Sequence, residues 1–234
     1  MVWKRHNNNR RKIKESDFMD WNYLIKLLSI LNKGLIVSLR IFIITLLFSI
    51  PFGIVVSRCA MSKSKIVKCI TKIYILVMRG TPLLLQIICI YFAPYYILGV
   101  SYNRFIAVII AFVLNYSAYF GEIFRGGIES IPIGQWEASF TLGFNKIQTF
   151  LLIVLPQATK RVIQALSNEI ITLVRDTSLA QVIGISELFS LAQKQANYKF
   201  SIIPLLIAGV IYLIISIILT MFFSFTEKKL EYYK

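Results

Sequence analysis

Glu169, Thr172 and Asp176 follow one another at intervals of three and four residues, with Ala165 four residues before them. A helix puts all four on one face. Two carboxylates on such a face can hold an ammonium group. Arg175, next to Asp176, can hold a carboxylate or pair with a neighbouring acid. A second face of the same kind carries Asn115, Ala118, Glu122 and Arg125, and the Asn115 amide can supply hydrogen bonds. The chemistry these groups suit is the holding and passage of a charged solute. Bond-breaking chemistry has little to work with. The chain has one histidine, His6, and its three cysteines, Cys59, Cys69 and Cys89, lack metal-ligand or CxxC spacing. No nucleophile stands at a base's spacing, and no glycine-rich Walker A loop is present to cradle a nucleotide phosphate. The same polar faces can instead serve as a packing network worth roughly 1 kcal/mol per contact. For Asn115 and Arg175 the two readings stand level. For Glu169 the pathway is favoured, because a membrane carboxylate is costly unless it faces water or a partner.

These faces need apolar segments to position them. The chain has 234 residues, 57% hydrophobic and 16% charged, with a mean hydropathy of +0.69. Such a composition excludes a disordered chain, a nucleic-acid-binding tail and a disulfide scaffold, and indicates an integral membrane protein. The net charge of +15 then belongs to cytoplasmic loops facing anionic lipid, with no nucleic-acid partner required. Apolar stretches at 34–57, 81–100, 105–124 and 202–225, with a more polar one at 161–176, predict an all-α protein with five transmembrane helices. The stripe of Ile66, Ile70, Ile73 and Val77, set against Lys65, Lys68 and Lys72, predicts an amphipathic helix at the cytoplasmic interface, and residues 23–31 can lie the same way. Six basic and no acidic residues in 58–79 place that loop in the cytoplasm. The later loops agree, with the C-terminus cytoplasmic and the N-terminus outside. The first fourteen residues, with six Lys or Arg, point the other way. The predicted division is a basic tail (1–21), a membrane domain (22–227) and a short C-terminal tail (228–234).

Between two spans, residues 125–156 form a loop of unusual length, which marks it as functional. Turn residues 131–134 precede a short helical stretch, 135–142, which Gly143 ends. A second apolar-faced helix is expected to follow and to stop at Pro156. The result is a helix-turn-helix knob on the cytoplasmic face. From spacing alone, Glu137 is a solvated side chain.

Glu137-Ala138-Ser139, then Gly143 three residues on, then Ile153-Val154-Leu155-Pro156 after nine more, resembles the EAA loop of ABC importer permeases, E-A-A-x3-G-x9-I-x-L-P. Ser139 in place of the second alanine is the single departure. Arg79-Gly80-Thr81-Pro82-Leu83-Leu84, Asn115-Tyr116-Ser117-Ala118-Tyr119, Ile131-Pro132-Ile133-Gly134-Gln135 and Arg175-Asp176-Thr177-Ser178-Leu179 are similar to the signatures of the polar amino acid branch. The similarity runs from about residue 22 to 227.

The resemblance implies a type I ABC importer permease fold in a bacterial cytoplasmic membrane. It also implies a chain without enzymatic activity or cofactor of its own. ATP and Mg would be bound by a dimer of partner ATPase subunits. A second permease copy or paralogue and an extracytoplasmic amino-acid-binding protein would complete the system. It assigns ATPase coupling to Gln135, Glu137, Ala138, Ser139, Gly143, Leu155 and Pro156, and it strengthens a substrate pathway at Asn115, Glu169, Thr172, Arg175 and Asp176. The substrate would be a cationic or neutral polar amino acid. A secondary transporter or channel driven by an ion gradient shares the composition, but it predicts inverted repeats that the sequence lacks and gives no reason for the structured loop.

Overall fold

The computed structural model describes residues 21–101 and 103–230. The basic tail with His6, and Lys234, lie outside the described residues. The chain is all helix. α1 (Trp21–Ala60) is followed by α2 (Lys65–Gly80) and α3 (Leu83–Leu98), then by α4 (Arg104–Glu129) and the short α5 (Ile133–Thr141). A three-residue turn at Lys146–Gln148 and a π-helical stretch, Thr149–Val154, lead directly into α6 (Leu155–Asp176). A 3-10 stretch (Thr177–Ile183), α7 (Leu188–Lys199) and α8 (Ile203–Leu230) complete the order.

α1 and α4 make the central pair. The buried face of α1 runs Gly34, Ser38, Ile41, Thr45, Ser49, Gly53, Ser57 and Ala60, a seam of mostly small residues at helical spacing. Small side chains let two backbones approach closely, and dispersion contacts then hold helices together where lipid offers no hydrophobic drive. A Cβ on Gly53 would lie 2.8 Å from the Cβ of Phe120, and one on Gly121 would lie 2.6 Å from a Val56 methyl. The opposite face of α1, with Ile43, Leu47, Phe52 and Ile54, is exposed and suits lipid. Ile87 of α3, Phe112, Tyr116 and Phe120 of α4, and Ile170 and Leu173 of α6 build the main core.

The expectation of five spans is overturned. Among the described residues, three helices are long and apolar enough to cross a membrane: Trp21–Ala60, Arg104–Glu129 and Ile203–Lys229. A fourth is reached only if α2 and α3, bent by 109° at their junction, count as one broken span. The segment at 161–176 belongs to α6, whose 22 residues have the length but not the apolarity. Lys160, Arg161, Asn168, Glu169, Arg175 and Asp176 all lie on it, and its apolar face is spent on α4 and α8. Residues 23–31 do not form a separate interfacial helix. They open α1, where Leu27 and Leu31 are buried against Leu188, Ala192 and Ala208.

α7 is pinned to α1 and α8. The fully buried Glu187 caps it, accepting from the backbone N–H of Phe189 (2.7 Å) and Ser190 (2.6 Å) and from the Tyr212 hydroxyl (3.1 Å). Burial pushes the Glu187 carboxyl above its usual range, against the pull of these donors. A Cβ on Gly34 would lie 2.8 Å from the Cα of Leu188, so α1 meets α7 backbone to backbone.

Candidate functional site

The site starts from the break between α2 and α3. Thr81 and Pro82 are both extended there, because proline has no N–H to continue a helical ladder. The break frees backbone carbonyls, and buried side chains take them up. Gln86 Nε2 donates to Met78 O (3.0 Å) and to Thr81 Oγ1 (2.8 Å). Asn115 Nδ2 donates to Met78 O (2.9 Å) and to Gln86 Oε1 (3.0 Å). The two amide hydrogens of Asn115 are therefore spent on holding the bend.

Beside the bend lies a cavity of about 450 Å³ lined by Arg79, Asn115, Tyr116, Tyr119, Glu169, Thr172 and Asp176, among others. That volume is in the range of small-molecule sites, about 300–1,000 Å³. α6 supplies the acids at its far end, and α4 supplies the aromatic wall. Tyr116 donates from its hydroxyl to Asp176 Oδ2 at 2.7 Å. Glu169 is half-buried and has no hydrogen bond or ion pair to any described residue. The guanidinium of Arg79 stacks over the Tyr119 ring, 5.1 Å from its centre.

The structure brings Asn115, Glu169, Thr172 and Asp176 to one cavity and sets the other members of the two faces apart. Arg175 is exposed, is not among the lining residues and donates to Thr172 Oγ1 at 3.1 Å. Ala165 lines a separate cleft with Glu122, Gly127 and Arg161. Ala118 is buried between Ala60 and Ile75. Glu122 pairs with Arg125 (2.5 Å), which also reaches Glu129. These three line a second cavity of about 530 Å³ with Lys68, Lys72 and Arg79. Hydrogen bonding to Arg125 lies behind this trio's closeness, and the acids neutralise the basic side chain locally.

The loop at 125–156 builds a compact knob. Its helix is α5, and Gly143 ends it in the left-handed region at φ +84°. There the N–H of Gly143 donates to Phe140 O (3.0 Å) and that of Phe144 to Ser139 O (3.1 Å). This pair of bonds closes a helix C-terminus and favours glycine. The following turn starts on a reciprocal cap: Asn145 Oδ1 accepts from the Ile147 and Gln148 backbone, and Gln148 Oε1 accepts from Asn145 N. Ser139 is the buried residue of α5, and its Oγ donates to Trp136 O (2.7 Å) and shares a 2.9 Å bond with the buried Thr149 hydroxyl. Ile131, Val154 and Ala158 form a small core beneath Trp136 and Phe150. Gln135, Glu137, Ala138, Leu155 and Pro156 are exposed, as are Ile133, Phe140, Leu142 and Ile147. Pro156 does not stop a helix as expected. It sits in the first turn of α6, where a missing N–H costs nothing.

Residues 49–232 match the family described as binding-protein-dependent transport system inner membrane component. The chain belongs to that family. It is 35% identical over 216 residues to the arginine transport system permease protein ArtQ of Bacillus subtilis, covering 91% of this chain and 98% of that one. It is 33% identical over 217 residues to a putative glutamine transport system permease protein, GlnP, of Rickettsia conorii, covering 90% and 98%. It is also similar to a crystal structure of an amino acid ABC transporter with histidines, with a TM-score of 0.83, 29% identity, and 90% and 99% coverage. A methionine ABC transporter, MetNI, shares the fold at 16% identity and a TM-score of 0.67.

The protein is thus a multi-pass inner-membrane permease subunit of an ABC importer. ATP hydrolysis, with its ATP and Mg, resides in a separate ATPase subunit, and a second permease and an extracytoplasmic binding protein complete such systems. Among the described residues no group of three or more His, Cys, Asp or Glu could hold a metal ion.

Arg79, Gln86, Tyr116, Tyr119 and Asn145 escaped the reading by helical face. The first, third and fourth stand in the quoted signature stretches. What was missing is the sharp bend that swings α2 back onto α4.

Proposed function

We propose that this permease carries a cationic or neutral polar amino acid across the cytoplasmic membrane through the cavity at the far end of α6. Glu169 and Asp176 hold the ammonium group or a cationic side chain, and Thr172 offers a hydroxyl. Asn115 acts by fixing the bend that shapes the wall, and Arg175 orients Thr172. One observation carries the reading: Glu169 faces a cavity large enough for an amino acid with no partner of its own. A membrane carboxylate so placed awaits a cation. The named amino acid systems among the relatives support the same substrate class.

α5 is the coupling element, with Gln135, Glu137, Ala138, Ser139 and Gly143 on or at the end of it, and Leu155 and Pro156 beginning the lever behind. When the partner ATPases close on ATP, α5 moves as a rigid piece, since both its neighbours are capped. The Ser139–Thr149 bond and the small core that Trp136 and Phe150 both pack against pass that motion to α6, which spans roughly 33 Å at 1.5 Å per residue and carries the cavity acids at its other end. Such coupling needs contacts that differ between two states. The knob faces the cytoplasm and the N-terminus lies outside, with α2 and α3 crossing as one broken span, because basic residues cluster after α1. Residues 22–227 form the permease domain between two tails.

The test is Glu169→Gln in the reconstituted complex. Substrate-stimulated ATPase falls, while basal ATPase persists because assembly does not use this carboxylate. An unchanged response to every amino acid in a cationic and neutral panel removes Glu169 from the pathway.

A further inference from the structure

The proposed substrates share one more group than the acids can serve: each carries an α-carboxylate. Of the described residues lining the 450 Å³ cavity, Arg79 alone is cationic. Arg175, the cation that the sequence offers first, is not among the lining residues and donates to Thr172 Oγ1 instead. Arg79 is also set in place. It stands in the last turn of α2, one residue after Met78, whose carbonyl is gripped by Asn115 and Gln86. Its guanidinium carbon lies over the ring of Tyr119, another lining residue, 5.1 Å from the ring centre. It has no ion pair among the described residues, where the two found both belong to Arg125. A guanidinium held against a ring face and without an ion pair has N–H groups left for a bidentate carboxylate. Gly80, beside it, has nothing within 4 Å of where a Cβ would stand, so a ligand can approach the backbone.

We infer that Arg79, stacked on Tyr119, is the specificity-determining cation of this permease and binds the α-carboxylate of the transported amino acid. This rests on the cavity at Glu169 and Asp176 being the pathway. Arg79 and Gly80 also line the 530 Å³ cavity that holds Lys68, Lys72 and Arg125 with Glu122 and Glu129. The carboxylate is therefore held where an acid-lined chamber meets a predominantly basic one.

The experiment uses the full chain assembled with its ATPase partner in nanodiscs, without binding protein. Equilibrium binding is measured for L-arginine against agmatine and for L-glutamine against 4-aminobutanamide, each second ligand lacking the carboxylate. The wild type prefers the amino acid in at least one pair. Arg79→Gln weakens that amino acid about ten-fold or more and leaves the decarboxylated analogue within about two-fold, so the preference collapses. Arg79→Lys recovers part of it, and Tyr119→Leu loses a smaller share in the same direction. Equal weakening of both members of a pair, or a preference that survives Arg79→Gln, overturns the assignment. If the wild type binds neither amino acid, or if Glu169→Gln leaves amino acid binding unchanged, the pathway itself is elsewhere.

Discussion

The two ends of α6 are built on opposite plans. At its start, in the knob, the polar groups satisfy one another: Gly143 and Phe144 close the end of α5, Asn145 and Gln148 cap each other, and Ser139 bonds Thr149. What the knob turns outward is apolar, in Ile133, Phe140, Leu142 and Ile147. At its end, in the cavity, the helices pack by apolar contact outside, while the groups facing inward are charged and short of partners. Among the described residues Glu169 has no hydrogen bond or ion pair, and Arg79 has a ring but no ion pair. A self-satisfied rigid body with an apolar skin suits a protein groove. A cleft with unspent charges suits a small charged solute. On the proposed reading, one chain separates the place that is pushed from the place that binds, and joins them by a single helix.

Cutting that join gives the largest effect. Where α4 crosses α6, a Cβ on Gly127 would lie 2.0 Å from a Val162 methyl. Gly127→Val is expected to destabilise the purified protein by about 1–3 kcal/mol, seen as a lower melting temperature in detergent, and to abolish transport by damaging both ends at once. Gly143→Val separates them. The site is open, with nothing within 4 Å, but φ is +84°, so the cost is backbone strain of about 1–2 kcal/mol. Substrate-stimulated ATPase is lost while amino acid binding in the cavity stays at the wild-type level. A parallel loss of binding would mean that the two regions are not separate.

Asn145→Ala removes the cap that starts the second half of the knob, at about 1 kcal/mol. Uptake falls a few-fold with binding again untouched. Smallest is Ser139→Ala, which restores the family's commoner residue but strands the buried Thr149 hydroxyl at a cost of about 1 kcal/mol. The double change Ser139→Ala with Thr149→Val should cost less than the sum of the singles, as a double-mutant cycle in thermal melts would show. Additive costs would remove the link between α5 and the π-helical stretch.

Much of the knob is local and therefore readable. Gly143 and the turn at 131–134 act through their own backbone, so spacing places them within a residue or two. Asn145 acts locally too, and its capping box with Gln148 stands in plain sequence. Glu169, Thr172 and Asp176 share a cavity because helical periodicity alone aligns them. The same rule fails for Ala165, Ala118, Glu122 and Arg125, because a helical face several turns long passes different neighbours at different heights. The span count fails for a related reason. Apolarity measures fitness for lipid, and α6 is instead sheltered by α4 and α8, so its length and its polarity no longer point the same way.

Sequence by itself determined what depends on residues near one another along the chain: helices, the end of α5 at Gly143, the loop signature and the apolar stretch within α1. Only the tertiary structure decided which of the arginines faces the cavity. Arg175 adjoins Asp176 in the chain, yet a helix turns neighbours about 100° apart, and the pocket passes it by. Arg79 lies ninety-seven residues from Asp176, and the 109° bend brings it to the same wall. A bend between helices is a property of how they pack, and no local spacing encodes it.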